Sequence, residues 1–454
     1  PRQPVKPFVS IHVPAYNEPA DMMIETLNCL AKLDYEQYEV IVIDNNTPDE
    51  ATWKPVQAHC EQLGARFKFF HKKPLAGYKA GALNFALEQT DPSAEVVAVI
   101  DSDYQVSSQW LTDLTVHFAS PEVAIVQAPQ DYRDGDESWF KAMCNAEYRG
   151  FFHLGMMTRN ERNAIIQHGT MTMVRKSALL EAGGWGTTTI TEDADLGLKI
   201  FELGYEATYT NKSYGQGLIP DTFVAFKKQR YRWAYGAMQI LREHAGSLFR
   251  VRQSELKPGQ RYHYLAGWLP WVADGFNLIF SLMAVIWSIL MVIDPITYNA
   301  PPMLISLIPI VFFTFKITKM LALYLGEVRA GLGAALAASI GGLSLSYAIG
   351  RAVLSGLFVG RKKPFLRTPK KRPKAAFLQA LQDAREECLI AAVLTSAIVA
   401  VALYVGFDSD ETFYWTLVLG VQSVPYWAAV LVSLVSVLPA RRRPRNSQTE
   451  SYSD

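Results

Sequence analysis

Two aspartates separated by one residue follow an apolar run near residue 100. Asp101 and Asp103 end the stretch EVVAVIDSDY, whose β-branched residues predict a buried strand. Where a strand ends and turns, both carboxylates can face one hard cation, which they would hold against a diphosphate leaving group. Asp-x-Asp is also common in solvated turns, so the pattern predicts this chemistry only together with other motifs.

A second acidic cluster, TEDADLG, precedes the helical pattern LGLKIFELG. One interpretation makes Asp193 a general base, held by the start of the helix beside a substrate hydroxyl. The alternative is structural, because Thr191 or Glu192 could cap that helix and acidic residues are favourable at its positive end. These residues alone leave both interpretations open.

The stretch QRYRW places Gln229, Arg232 and Trp233 within one helical turn. An arginine can bind a diphosphate through two parallel hydrogen bonds, and the flat face of a tryptophan can stack on a sugar ring. An amphipathic helix lying on a membrane surface would use the same residue types. The motif therefore indicates either a sugar-phosphate site or a surface helix.

Two further polar residues stand among small residues. Lys79 lies in PLAGYKAGALN, where a lysine at a helix start is more often solvated than phosphate-binding. His168 lies in the glycine-flanked turn QHGTMTMV, where a structural role is the alternative. The eight histidines show no metal-ligand spacing. A function for either residue can be predicted only from the motifs around it.

The elements that would position these residues alternate along the first half of the chain. Strand-like runs end in polar residues, and helical patterns such as KAGALNFALEQ separate them. This alternation predicts a mostly parallel α/β sheet, which binds ligands at the carboxyl ends of its strands. Three polar clusters fall at predicted strand ends: Tyr16–Glu18, Asp44–Asn46 and Asp101–Asp103. We expect them to converge on one crevice that suits a cationic or metal-bridged ligand.

From Trp268 onward the chain is dominated by apolar stretches long enough to cross a bilayer, which requires about 20 helical residues. Four predicted spans lie near Gly275–Ile293, Met303–Leu325, Leu389–Phe407 and Phe413–Leu438. A further apolar stretch, Leu332–Gly360, is rich in glycine and serine and contains Arg351. The second half therefore predicts an α-helical membrane domain.

The basic residues indicate how these segments are arranged. Seven basic side chains lie in KKPFLRTPKKRPK, residues 362–374, and more follow in RRRPR near the C-terminus. The positive-inside rule places both basic stretches on the cytosolic side. The four cysteines show no zinc spacing and indicate a reducing compartment, which places the first domain in the cytosol too. An even number of crossings must then precede the 362–374 loop, so one of three apolar segments should lie along the interface or re-enter the membrane. Leu332–Gly360 is our prediction, and Met303–Leu325 is its rival.

Composition also limits the domains and the partners. The net charge is +1 and the basic residues cluster beside apolar segments, which argues against nucleic-acid binding. We predict a soluble domain over residues 1–250, interfacial helices over 251–274, a transmembrane region over 275–438 and a basic disordered tail over 439–454. Because residue 8 already begins a strand-like run, we also expect further residues upstream.

These motifs occur in the order found in membrane-embedded processive glycosyltransferases of family 2. The chain resembles cellulose-synthase-like enzymes from Val9 to the last span, and among them the bacterial β-1,3-glucan (cyclic β-glucan, NdvB-type) synthases. The resemblance rests on the spaced set VPAYNEP, VIDNN, Lys79-Ala-Gly, DSD, VQAPQ, HGTMTMVRKSAL, GGW, TEDADLG and QRYRW. It implies a cytosolic GT-A-type (Rossmann-like) α/β glycosyltransferase domain and an α-helical transmembrane domain with interfacial helices.

The activity implied by the resemblance is polymerisation. A multi-pass enzyme of the bacterial inner membrane would transfer glucose from UDP-glucose to a growing β-glucan chain and translocate it across the lipid bilayer. Mg²⁺ or Mn²⁺ would be the cofactor. The resemblance identifies no accessory subunit.

It also implies a role for individual residues. Asp193 would deprotonate the acceptor hydroxyl, giving direct displacement with inversion at the anomeric carbon. Nine residues would bind UDP: Tyr16, Glu18, Asp44, Lys79, Asp101, Asp103, Gln229, Arg230 and Arg232. Asp101 and Asp103 would also hold the metal, with Asp103 the more direct ligand. Residues near the donor sugar or the acceptor would be His168, Gly169, Thr170, Glu192 and Trp233.

The family has, in addition, a gating loop of the form Phe-x-Val-Thr-x-Lys that closes over the bound nucleotide. Phe365, Thr368 and Lys370 match this pattern inside residues 361–374, whereas Arg367 stands where the family has valine. Thr368 and Lys370 would therefore contact UDP, and the flanking charges would set orientation.

Three alternatives accompany this interpretation. The same fold could make cellulose, hyaluronan or a mannan. The enzyme could be a non-processive transferase acting on a lipid-linked sugar, or the chain could be a polysaccharide channel with an inactive domain. The linkage depends on which acceptor hydroxyl faces Asp193, so the preference for β-1,3 rests on the resemblance alone.

Overall fold

The computed structural model describes residues 6–251, 253–327, 331–359, 377–407 and 409–439. Residues 6–251 form an α/β unit, and the described residues beyond Pro258 are helical apart from short connections. The predicted combination of an α/β domain with long apolar helices is therefore confirmed.

The strands of the α/β domain form one large sheet and one small sheet. Their bounds are β1 Val9–Ala15, β2 Tyr38–Asn45, β3 Phe67–Lys72, β4 Val96–Val99, β5 Gln105–Val106, β6 Val123–Gln127, β7 Asp131–Tyr132, β8 Thr172–Arg175, β9 Glu206–Tyr209 and β10 Gly215–Gly217. The large sheet has the order β3-β2-β1-β4-β8-β6-β9, and the small sheet has the order β5-β10-β7. Only β8 runs antiparallel to its neighbours in the large sheet, so the predicted, mostly parallel arrangement is found.

The central strands are buried on both faces. Val97 and Val99 of β4 pack into one apolar cluster, and Val96 and Ala98 pack into another. Successive strand residues point to opposite faces, so this division shows that apolar layers cover both sides of the sheet. The carboxyl ends of β1, β2 and β4 are thereby held in fixed positions.

Ten helices surround these strands. They are α1 Ala20–Leu30, α2 Glu50–Leu63, α3 Tyr78–Gln89, α4 Trp110–Leu114, α5 Trp139–Arg149, α6 Met156–Asn160, α7 Lys176–Glu181, α8 Glu192–Glu202, α9 Phe223–Glu243 and α10 Ala245–Leu248. A 3₁₀ turn spans Thr115–Ala119, and a π-helical turn spans Gly150–Gly155. Asp49, Ser138 and Thr222 begin α2, α5 and α9 by accepting hydrogen bonds from main-chain N–H groups of the first turn.

The second half of the chain contains seven further helices within the described ranges. They are α11 Pro258–Ile293, α12 Met303–Ala322, α13 Leu332–Ser344, α14 Ser346–Leu354, α15 Phe377–Asp383, α16 Arg385–Tyr404 and α17 Asp410–Ser436. π-helical turns extend α12 over Leu323–Glu327 and α14 over Ser355–Val359. Among the described residues, five helical stretches are long and apolar enough to cross a membrane: Pro258–Ile293, Met303–Gly326, Leu332–Phe358, Arg385–Tyr404 and Asp410–Ser436.

One predicted boundary does not appear in the structure. Interfacial helices over 251–274 and a span from Gly275 were expected, but α11 is a single helix of 36 residues across that point. Pro258 occupies the start of this helix, where its missing N–H costs nothing, and Pro270 lies inside it without ending it. The predicted interfacial segment and the predicted span therefore belong to one continuous helix.

The two candidates for an interfacial segment differ in their packing. Within α12 only Ser306 is buried, and apolar side chains such as Phe312 are exposed. The stretch Leu332–Phe358 is more than half buried, and its helices α13 and α14 pack against α5 and α9 of the α/β domain. Its position relative to a bilayer stays a prediction.

Candidate active site

A cavity of about 420 Å³ opens at the carboxyl ends of β1, β2 and β4. One wall consists of the polar residues that follow these strands. The opposite wall consists of the start of α8 and the first half of α9. Predicted site residues that line the cavity are Tyr16, Glu18, Lys79, Asp101, Asp103, Gly169, Glu192, Asp193, Gln229, Arg232 and Trp233.

Three residues around the strand-end wall have an unusual backbone conformation. Asn17, Asn46 and Tyr78 have φ values of 51°, 63° and 53°, in the left-handed region. Such conformations are sparsely populated by residues with side chains, and they concentrate at functional sites. They follow β1 and β2 and begin α3, so the chain reverses tightly at three points around the cavity.

Lys79, in the first turn of α3, lines the cavity on the side of the strand-end wall. Its Nζ donates to Asp101 Oδ1 at 2.6 Å and to the carbonyl oxygen of Gly169 at 2.8 Å. Burial alone would lower the pKa of Lys79, but nearby carboxylates, Asp101 and Glu192 first, outweigh burial and raise it. The ammonium group is therefore a fixed positive charge beside the Asp-x-Asp turn.

Gly169 is required where these groups meet. A Cβ atom at this position would lie 2.8 Å from Lys79 Nζ and 3.0 Å from Asp193 Oδ2. The lysine and the aspartate therefore approach the glycine main chain from two sides. This contact places the predicted base next to the predicted diphosphate ligand.

Asp193 and Glu192 form the first turn of α8 and both line the cavity. Burial raises the pKa of Asp193, although Lys79 acts in the opposite direction. Burial and the adjacent Asp193 raise the pKa of Glu192 to about 7. The predicted capping role of Thr191 is not found, since its side chain makes no capping hydrogen bond and lies against α9 instead.

Asp103 is held by the small sheet. Its Oδ2 accepts a hydrogen bond from the N–H of Leu218 at 3.2 Å, and its carbonyl oxygen accepts from Arg133 Nη1 at 2.5 Å. Leu218 follows β10 and Arg133 follows β7. The small sheet therefore connects the Asp-x-Asp turn to the loop that leads into α9.

The QRYRW residues contribute from α9. Gln229, Arg232 and Trp233 line the cavity together, as their spacing within one turn predicts. Burial lowers the pKa of Arg232, and Glu192 leads the carboxylates that oppose this shift. The guanidinium group therefore adds a second positive charge on the wall opposite Lys79.

Arg230 of the same motif does not line the cavity. Its Nη2 is paired with Glu147, and its guanidinium carbon lies 4.7 Å from the ring centre of Trp233. The neighbouring Tyr148 hydroxyl donates to Gln229 Oε1. The side chain of Arg230 is therefore buried between α5 and α9, where it packs against Trp233. This placement argues against a direct contact of Arg230 with UDP.

Asp44 also points away from the cavity. Its Oδ1 lies 2.8 Å from His71 Nδ1, and its Oδ2 accepts from the Thr47 hydroxyl at 2.7 Å. The hydroxyl oxygen of Thr47 accepts in turn from the N–H of Asn17 at 2.8 Å. Asp44 therefore holds the turn after β1 against the end of β2, and its predicted contact with uridine stays a prediction.

His168 and Thr170 lie behind the cavity wall. The imidazole of His168 is packed edge-to-face between Phe151 and Phe152, and burial lowers its pKa to about 3. The hydroxyl oxygen of Thr170 accepts from the N–H of Asp101 at 3.0 Å. Both residues support the turn around Gly169 and do not line the cavity.

Asn45 and Asn46 of the predicted strand-end cluster line the cavity. Other lining residues were not predicted, namely Tyr78, Gln130, Tyr132 and Leu218–Pro220. Tyr132 and Leu218 depend on strands of two or three residues, which are too short to give a sequence pattern. The predicted gating residues Phe365, Thr368 and Lys370 lie outside the described residues.

A second cavity of about 500 Å³ adjoins the first. Ile190 and Arg232 line both cavities. The second one lies between α9 and the apolar helices α14 and α16, with Tyr231, Tyr347 and Arg351 among its walls. It therefore extends from the strand-end cavity toward the helices that could cross a membrane.

A mixed α/β sheet with a nucleotide-sugar-sized cavity at its strand ends is the architecture of GT-A-type glycosyltransferases. The chain belongs to the family described as "Glycosyl transferase family group 2", whose profile matches residues 96–325. Among solved structures, it is similar to a mannosyltransferase from Pyrobaculum calidifontis, with a TM-score of 0.53 and 19% identity over 78% of this chain and 88% of that one. At that identity, the likeness supports the fold alone.

Two curated relatives indicate which members of this glycosyltransferase family the chain is similar to. The chain is 29% identical over 246 residues to the probable glucomannan 4-beta-mannosyltransferase 9 of Oryza sativa, covering 52% of this chain and 46% of the relative. It is 30% identical over 248 residues to a cellulose synthase catalytic subunit of Pseudomonas fluorescens, covering 52% of this chain and 32% of the relative. The matches span half of the relatives' length or less, and the predicted cellulose-synthase-like character agrees with them.

Proposed function

We propose that this chain polymerises glucose from UDP-glucose into a β-glucan, with β-1,3 linkage, and passes the product across the bacterial inner membrane. The observation that carries the proposal is the meeting of Lys79, Asp101 and Asp193 around Gly169, inside one cavity that Trp233 also lines. One cavity thus contains groups that can bind a diphosphate, a carboxylate that can act as a base, and an aromatic ring on which a sugar can pack.

The catalytic step would be a direct displacement. Asp193 accepts the proton of an acceptor hydroxyl, the oxygen's electron pair forms the bond to the anomeric carbon, and UDP leaves with the electrons of the broken bond. Lys79 and Arg232 stabilise the negative charge that develops on the diphosphate. Burial, which raises the pKa of Asp193, makes that carboxylate a stronger base than an exposed aspartate.

A divalent cation fits the donor set of the strand-end turn. Asp101 and Asp103 offer carboxylate oxygens, the ligands that Mg²⁺ and Mn²⁺ prefer. Since Asp101 is bonded to Lys79, Asp103 would be the principal ligand. When bound, the cation would offset diphosphate charge and make UDP a better leaving group.

The second cavity supports a processive enzyme. A polymer whose end lies on Trp233 needs a route away from the site, and the space between α9, α14 and α16 adjoins the first cavity at Arg232. Tyrosines on its walls are suited to packing on sugar rings. The five long apolar helices would supply the membrane crossing, with the α/β domain in the cytosol.

The comparisons favour one second candidate. Curated relatives of this chain are named as mannosyltransferases of glucomannan synthesis, and the similar Pyrobaculum structure contains GDP-mannose and Mn²⁺. A β-linked mannan made from GDP-mannose would use the same base, the same cation site and the same sugar platform. The distinction lies in the donor and in the acceptor hydroxyl that faces Asp193.

The test is an assay of the full chain in membranes with Mg²⁺ or Mn²⁺ and radiolabelled donors. UDP-glucose should be incorporated into a polymer that a β-1,3-glucanase degrades and a β-1,4-glucanase does not, and EDTA should stop incorporation. Incorporation from GDP-mannose alone would replace the proposal with its second candidate. Incorporation from neither donor, in a chain that still binds nucleotide, would contradict both.

A further inference from the structure

Helix α9 has two halves that face different neighbours. Its first half carries Gln229, Arg232 and Trp233 on the cavity wall. Its second half lies along the loop that precedes α8. A Cβ atom at Gly236 would lie 2.2 Å from Thr191 Oγ1, so the residue before α8 rests directly on the α9 backbone.

The contacts continue along the second half of α9. Gln239 Oε1 accepts from the N–H of Ile190 at 3.1 Å, and the Thr188 hydroxyl donates to Glu243 Oε2 at 3.1 Å. The loop that leads to Asp193 is therefore bonded to α9 at successive turns.

His244 completes this series at the end of α9. Its Nε2 lies 3.0 Å from Asp195 Oδ1, and its Nδ1 lies 2.9 Å from Glu202 Oε1. Asp195 and Glu202 are seven residues apart, so they lie on the same face of α8, two turns from each other. Both ring nitrogens can donate at once only in the imidazolium form.

The surroundings stabilise that positive charge. Burial opposes protonation, but the hydrogen bonds to Asp195 and Glu202 outweigh it and raise the pKa of His244 to about 9. Lys199 of α8 lies 2.7 Å from the other oxygen of Asp195, and Glu243 of α9 adds a carboxylate nearby. Tyr264 of α11, which packs against α8, is the further titratable group on this side.

We propose that the His244 imidazolium is a positioning residue for catalysis, because it fixes α8 against α9 and so sets Asp193 relative to an acceptor on Trp233. The inference rests on the proposed function, since it takes Asp193 as the base. A neutral imidazole can donate to only one of the two carboxylates, so loss of the proton releases one end of α8. Asp195 is fully buried and would then keep only Lys199 as a charged partner.

The sign of the pH dependence follows from the direction of the pKa shift. Below 6.5, the ordinary pKa of histidine, the interaction is fully present, and it is lost as pH rises through about 9. Other cavity groups titrate elsewhere, because the pKa of Glu192 is about 7 and that of Lys79 is raised above the usual lysine range. A fall in rate near pH 9 is therefore specific to His244 among these groups.

The experiment compares His244→Asn, His244→Lys and His59→Asn in the full chain, with kcat, KM and UDP affinity measured from pH 6 to 10. His59 is the control because it joins α1 to α2 through Asn28, away from the cavity. His244→Asn should lower kcat about 10- to 100-fold at pH 7.5 and abolish the fall near pH 9, with unchanged UDP affinity. His244→Lys should retain kcat within about threefold and keep it to about pH 10, near the ordinary lysine pKa.

Several results would overturn the inference. They are a wild-type kcat without a fall near pH 9, a His244→Asn variant with wild-type kcat, or an equal loss in the Asn and Lys variants. If His244→Asn does not fold, the wild-type and His244→Lys profiles still decide the matter. Failure of the proposed function is distinguishable, because it would appear as a wild-type chain that forms no polymer from UDP-glucose, and failure of the base assignment would appear as an active Asp193→Asn enzyme, whatever His244 does.

Discussion

The two walls of the active-site cavity are held in different ways. On the strand-end wall, Asp101 follows β4 and Asn45 ends β2. The main chains of both strands are bonded to neighbours on both sides, and their side chains are buried. On the helical wall, Asp193 lies on α8 and Trp233 lies on α9. Side chains hold these helices, since His244 at the end of α9 pairs with Asp195 of α8, and Arg230 of α9 pairs with Glu147 of α5.

This difference predicts different responses to mutation. A residue of the strand-end wall should matter when it contacts the ligand itself, because the sheet keeps the remaining positions in place. A residue of the helical wall should also matter when it only supports a neighbour, since about 1 Å of misplacement can cost about 100-fold in rate. Mutation of a ligand-contacting residue on the strand-end wall should therefore weaken donor binding, whereas mutation of a supporting residue on the helical wall should lower turnover.

The largest effect is expected on the strand-end wall, at Lys79. Lys79→Met removes the ammonium group that faces Asp101 and the diphosphate, so kcat/KM should fall about 100- to 1,000-fold and UDP binding should weaken. Exposed Lys73 at the end of β3 provides the control, and Lys73→Met should change neither value by more than about twofold. Equal behaviour of the two variants in steady-state kinetics would remove Lys79 from the donor site.

A smaller effect with another signature is expected at Arg230. Arg230→Met leaves the Glu147 carboxylate unpaired and Trp233 without its brace, so kcat should fall about tenfold while UDP affinity stays unchanged. The double variant with Glu147→Leu removes the unpaired charge and should recover thermal stability but not kcat. Loss of UDP affinity in Arg230→Met, measured by calorimetry, would instead support the sequence-based assignment of Arg230 to UDP.

The smallest effect is a shift in pH dependence. The pKa of Glu192 is raised to about 7, so the adjacent carboxyl pair binds a proton as pH falls through that value and the base is partly blocked. The wild-type rate should therefore decrease below about pH 7. In Glu192→Gln only Asp193 titrates, and the decrease should move to lower pH. A pH–rate profile that is the same in both enzymes would exclude this coupling.

Much of the strand-end wall could be predicted from the sequence. Buried β-branched runs that end in polar residues identified β1, β2 and β4, and the parallel sheet brings their ends together. Asp101, Glu18 and Tyr16 were assigned to the cavity on this basis and they line it. The side-chain contacts of Asp44 could not be predicted, because His71, which binds one of its carboxylate oxygens, lies on the neighbouring strand β3 and not in the same turn.

Less of the helical wall could be predicted. The QRYRW spacing identified Arg232 and Trp233, but a helical motif does not reveal which of two neighbouring arginines turns inward, and Arg230 pairs with Glu147 some 83 residues away. His244 carries no local signal, because Asp195 and Glu202 approach it only when α8 packs on α9. The sequence also did not predict that α11 is continuous, because the apolar content of the sequence changes near Gly275 although the helix continues through this point.

The most direct measurement of the central claim is a comparison of polymer synthesis and UDP binding in Asp193→Asn. The side chain keeps its size, so the nucleotide should bind with unchanged affinity while polymer synthesis falls by at least about 100-fold, because the base is absent. Asp34→Asn, in the turn after α1, serves as the matched control and should leave both values unchanged. Polymer synthesis at the wild-type rate in Asp193→Asn, or a parallel loss of UDP binding, would contradict the account.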